Sequence, residues 1–111
     1  KFEVIRNMAK SIKLRAKAKD GVATVKALIS HPMETGLRKD KKSGKPIPAE
    51  FIQEVVCESG GKTVLSAQWG SAISKNPFLS FKFSGAKSGD SIKISWVDNK
   101  GNSDSIDSKI K

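Results

Sequence analysis

The chain has 111 residues, 37% of them hydrophobic and 29% charged, with a formal net charge of +10. This is one domain of ordinary globular composition, too rich in apolar residues for wholesale disorder. No apolar run approaches the ~20 residues of a membrane-spanning helix, and a lone Cys57 and a lone His31 exclude an intrachain disulfide and make a self-contained structural zinc site unpromising.

The first seven residues read as an appended or upstream segment, with Met8-Ala9-Lys10 resembling a natural start. The first residues lack an apolar h-region, so no secretory signal is expected among them. From Ile12 to Lys19 the pattern alternates strictly. Ile12, Leu14, Ala16 and Ala18 point one way; Lys13, Arg15, Lys17 and Lys19 point the other. Asp20-Gly21 is a tight-turn signal, and Val22 to Ile29 reads as the returning strand, ended by Pro32.

A polar stretch from His31 to Pro48 follows, with two glycines, three prolines and five cations: Arg38, Lys39, Lys41, Lys42 and Lys45. A connection of this length in a small domain is expected to be functional or mobile. Phe51 to Glu58 suits a helix opened by Pro48 or a strand placing Phe51, Val55 and Cys57 on one face. The Gly60-Gly61 pair and the run Lys62 to Trp69 favour a hairpin, so a strand is expected. Phe78 to Ser84 alternates, with Leu79, Phe81 and Phe83 on one side. Ser91 to Val97 alternates with Ile92, Ile94 and Trp96 inward. The cluster Asp98 to Gly101 makes a turn, and Asn102 to Ile110 adds a weak last strand. The fold class this predicts is all-β, an immunoglobulin-like β-sandwich of about seven antiparallel strands.

Charge is uneven. Residues 1–48 hold 13 Lys or Arg against four acids, and residues 49–111 hold eight against seven. Such a basic half favours acidic partners. The stripe Lys13, Arg15, Lys17 and Lys19 is read as a solvated face or edge guard, with nucleic-acid binding as the sharper alternative. That alternative lacks the stacking aromatics that normally accompany the cations, and no nucleic-acid-binding motif or cofactor-binding glycine loop is present. Trp69 and Trp96 are expected in the core. Cys57 is expected to be an inert core thiol, and His31 an ordinary loop histidine without a nucleophile to serve. No catalytic, cofactor-binding or metal-binding residues are therefore assigned.

Strand parity carries the functional expectation. The connections 31–50 and 70–77 are separated by two strands, so they share one end of the sandwich, with the turn 98–101 near them. His31, Met33, Glu34, Thr35, Gly36 and Arg38 from the first, with Lys75, Asn76, Pro77 and Phe78 from the second, form the candidate partner-binding set. An apolar-lined sheet face is the expected constant interface.

Specific strings sharpen this. Residues 26–40 (Lys-Ala-Leu-Ile-Ser-His-Pro-Met-Glu-Thr-Gly-Leu-Arg-Lys-Asp), 47–55, 61–65, 74–83 and 95–101 run in order along the chain, and together they resemble the SoxZ family of sulfur-oxidation carrier subunits. The resemblance implies an immunoglobulin-like sandwich, a strand at Phe51 to Glu58, and a periplasmic heterodimer with a SoxY subunit. In that family SoxY holds a cysteine on a flexible arm that carries sulfur intermediates between pathway enzymes. Cys57 is expected mid-strand rather than on such an arm, so it is not assigned the carrier role. The resemblance further implies export together with a signal-bearing partner.

Overall fold

The computed structural model describes residues 11–111; residues 1–7, read above as an appended or upstream segment, lie outside them. Among the described residues seven strands form, and no helix: β1 (Ile12–Lys19), β2 (Val22–Ile29), β3 (Ile52–Ser59), β4 (Lys62–Gln68), β5 (Phe78–Ser84), β6 (Ser91–Asp98) and β7 (Ser103–Lys109). They build two antiparallel sheets, ordered β1-β2-β5 and β4-β3-β6-β7. This is the expected immunoglobulin-like sandwich, with strand limits within a residue or two of those read from the alternation.

The alternating residues do what the period-two pattern demands. Ile12, Ala16, Ala23, Val25, Ala27 and Ile29 of the first sheet are buried against Ile52, Val55, Cys57, Ile92, Ile94 and Trp96 of the second. Burial of these side chains, at roughly 1.5–3 kcal/mol for each large aliphatic, supplies the main folding drive. The outer face of the first sheet carries the opposite set. Across it Arg15 faces Lys26, while Lys17 and Lys82 flank Thr24. With Lys13 and Lys19 this makes six cations on one exposed surface, and no acid shares it.

β3 departs from simple alternation. Its register against β6 shifts between Ile52 and Glu54, so Ile52 and Val55, three apart, both point inward. A bulge of this kind adds one residue to one strand. The inward set is therefore Ile52, Val55 and Cys57, and Phe51 is only partly buried, where alternation had put Phe51 in the core.

The outer faces contradict the expectation of an apolar-lined sheet face. On the second sheet the outward positions include Glu54, Glu58, Ser66, Gln68, Lys93, Ser95, Ser105 and Asp107, with Val56 and Val97 as the apolar pair among them. On the first, only Val22, Leu28 and Phe78 interrupt the polar surface.

Candidate functional site

The connections 31–50, 70–77 and 99–102 meet at one end of the sandwich, as parity requires, and a dense polar network joins them. His31 is its hub. Its backbone N–H donates to Asn76 Oδ1 at 3.0 Å and its carbonyl accepts from the Asn76 N–H at 3.0 Å. Asn76 has φ 52°, a left-handed conformation that asparagine tolerates well. The Met33 N–H donates to His31 Nδ1 at 3.0 Å, which leaves the ring proton on Nε2, facing Asp98 Oδ2 at 3.0 Å. The ring packs edge-on against Trp96, with centroids 5.0 Å apart at 87°.

Asp98 was missed as anything more than a turn residue. Its side chain is fully buried. Oδ1 accepts from the N–H groups of Lys100 and Asn102, and Oδ2 accepts from Asn102 Nδ2 and from His31. Burial alone would raise its pKa; the hydrogen bonds from His31, Asn102 and Lys100 outweigh it and hold the carboxyl below its ordinary value. Asn99 completes the tie by accepting from the Phe51 N–H at 2.8 Å and donating to the Ala49 carbonyl at 3.0 Å. The Asp-Asn-x-Gly pattern of a turn was the one sequence signal for this network.

These bonds decide what the cluster can do. His31, Glu50 and Asp98 bring donor atoms within 4.8 Å of one another, a spacing that suits a cation. Both ring nitrogens of His31 are already engaged within the protein, and Asp98 accepts four hydrogen bonds. The arrangement is a structural lock. His31 is 4% exposed and Met33 5% exposed, with Met33 Sδ accepting from the Ile52 N–H. His31 is the loop histidine with ordinary hydrogen bonds that the sequence suggested, and its neighbours also bury it. His31 and Met33 offer no surface of their own, and Pro77 is buried beside them, its carbonyl accepting from the Ile29 N–H.

What the end presents to solvent is the remainder of the set. Glu34 and Arg38 form a two-bonded ion pair, Nε to Oε1 at 3.0 Å and Nη2 to Oε2 at 2.6 Å, which holds the Glu34 carboxyl below its ordinary value. With Thr35 and Lys75 they rim a shallow hollow floored by Pro32 and Met33. Phe78 is 62% exposed beside Leu28 on the outer face of the first sheet.

The long connection is an ordered ribbon. Glu34 and Glu50 exchange backbone hydrogen bonds, Ile47 donates to the Arg38 carbonyl, and Asp40 and Lys45 bracket a turn. Gly36 sits at φ 87° with Ala49 so close that an added Cβ would lie 3.2 Å from the Ala49 Cβ. The two halves of this ribbon pair with each other between β2 and β3. Its outer part carries Leu37, 88% exposed, among Arg38, Lys39, Lys41, Lys42 and Lys45.

Cys57 lies far from any such surface in character. It is fully buried between Leu65 and Ile94, and burial, with the Glu58 carboxylate, pushes its thiol up to about 12. A thiol in that state supplies almost no thiolate near neutral pH.

The family model described as "Sulphur oxidation protein SoxZ" matches residues 12–109. No curated protein matches the chain significantly. Among solved structures, the crystal structure of the hypothetical protein PH1083 from Pyrococcus horikoshii OT3 is similar, with a TM-score of 0.64 and 13% identity over 93% of this chain and 89% of that one. This last likeness is one of fold alone.

Proposed function

Since the chain belongs to the SoxZ family and so to the sulfur-oxidising Sox system, we propose that it is the non-catalytic half of a sulfur carrier. In this reading it pairs with a SoxY-like subunit, whose cysteine arm bears the sulfur intermediates derived from thiosulfate. It helps present that arm to the enzymes that load, oxidise and hydrolyse its cargo. The complex works in the periplasm, and this chain travels there with its signal-bearing partner.

The observation that carries the reading is the state of Cys57. It is the chain's one thiol, sealed in the core with its pKa raised to about 12. Covalent sulfur chemistry needs an accessible thiolate, so the thiol that carries sulfur must come from another chain. The His31–Asp98 pair, buried and fully hydrogen-bonded, is likewise closed to substrate. What the chain does offer is a rigid sandwich with cationic and apolar surface, the equipment of a binding subunit.

The test is co-expression with a SoxY-like subunit, purification through a tag on that partner, and mass determination of the eluate. A stable complex containing both chains is expected. In a reconstituted system, Cys57→Ala in this chain should leave thiosulfate-dependent turnover unchanged. Loss of turnover in a well-folded Cys57→Ala variant contradicts the non-catalytic assignment.

A further inference from the structure

The two sheets of the sandwich are closed along one flank and open along the other. Where β1 meets β7, the C-terminal residue crosses between sheets. The Ala18 N–H donates to the Lys111 carbonyl at 2.7 Å, and the Lys111 N–H donates to the Ala16 carbonyl at 3.0 Å. Ser11 adds a second tie, donating to Asp104 while accepting from Trp96 Nε1. Along the other flank lie β4 and β5, the edge strands of their sheets. Among the described residues no hydrogen bond joins them, and none reaches β5 from the side away from β2.

The consequence shows in burial. Leu79, Phe81 and Phe83 of β5 point inward, yet all three are only partly buried; Leu65 of β4 and Trp69 just after it are in the same state. Core-facing side chains left partly in water forgo some of the gain from full burial. An edge strand with regular alternation and unpaired backbone groups is also a template for another strand, and proteins usually guard such edges. β1 is guarded by Lys111 and its row of cations. β5 carries Lys82 alone.

Charge specifies the occupant. From Ser59 to Gly89 the chain has no Asp or Glu and four lysines: Lys62, Lys75, Lys82 and Lys87. A second copy would bring the same run of lysines without acids to the contact, so self-pairing is disfavoured. We propose that the open β4/β5 flank is the docking surface for a protein partner that adds an extended strand to β5, lays apolar side chains over Phe81 and Phe83, and sets carboxylates against Lys75 and Lys82. Strand addition joins main-chain hydrogen bonds to pockets for alternate side chains, and this flank offers both. Resting on the function proposed above, the inference assigns the SoxY-like subunit to this surface.

The test measures binding of the purified SoxY-like subunit to this chain and three variants. Phe81→Ala should weaken affinity about 30-fold or more, the range of a central aromatic anchor. Lys82→Glu, an exposed change with no folding cost to confuse the result, should slow association several-fold at low salt, with the difference shrinking at high salt. Lys109→Glu on the closed flank should change nothing. Wild-type binding that both flank variants leave intact overturns the inference and spares the functional reading. A wild-type chain that does not bind the SoxY-like subunit overturns both. A doubled mass of this chain alone, abolished by Phe81→Ala, identifies self-pairing and overturns the assigned partner.

Discussion

Along the β1/β7 flank, two sheets are joined by main-chain hydrogen bonds through Lys111, by Ser11 and Asp104, and by the Trp96 indole. Along the β4/β5 flank, two seven-residue strands share no hydrogen bond among the described residues, and the inward Leu65, Leu79, Phe81 and Phe83 stay partly exposed. The difference lies in what each flank lacks. The closed one has satisfied its edge from within the chain. The open one keeps both apolar surface and unpaired backbone for something else. A fold can thus hold itself together with one side of its core and recruit a partner with the other.

The largest expected effect separates the two flanks by stability. Trp96 is 7% exposed and bonded to Ser11, so Trp96→Ala should cost about 3–5 kcal/mol in urea unfolding. Phe81→Ala removes an aromatic already partly in water and should cost about 1–2 kcal/mol. Equal losses would erase the distinction between a flank that stabilises and one that binds.

A somewhat smaller effect concerns the lock that fixes the loop end beside both flanks. Asp98→Ala orphans the donors of Lys100, Asn102 and His31 and should cost about 2–3 kcal/mol. The wild type should show the linked acid dependence. A carboxyl whose native pKa is depressed binds protons more readily in the unfolded chain, so its stabilisation is complete above the unfolded value of 3.8 and is lost as the pH falls through the lower native value. Acid titration of unfolding midpoints should therefore be steeper below pH ~4 for the wild type than for Asp98→Ala. Parallel curves would show that Asp98 carries no such linkage.

The smallest effect belongs to the basic outer face of the first sheet. Lys17→Gln should shift stability by no more than about 0.5 kcal/mol. Retention of the protein on nucleic acid should vanish near physiological salt, because contact through charge alone weakens steeply as salt rises. Sequence-selective retention at that salt would make this face, rather than the open flank, the principal binding surface.

The strands were legible because their alternation is local. Ile12 to Lys19 and Phe78 to Ser84 declare their faces residue by residue, and parity then places the loop end correctly. Phe51 to Ile52 was misassigned because a bulge is a feature of pairing, invisible to a single strand's period. His31 is a loop residue, as read, but its burial was not legible because it depends on Asp98 and Trp96, 67 and 65 positions away in sequence. The ribbon from Glu34 to Glu50 lacks alternation, and its order comes from two halves folding against each other. The open flank could not be read at all: β5 has the pattern of a core strand, and only the sheet order reveals that among the described residues no strand pairs with its outer edge.

Hydrogen exchange on the free chain and on its complex with a SoxY-like subunit tests the central claim most directly. Amides of β5 and β4 should exchange readily in the free chain and gain protection in the complex, while those of β1 and β7 should be protected in both. Protection gained on β1 and β7, with β4 and β5 unchanged, would contradict the account.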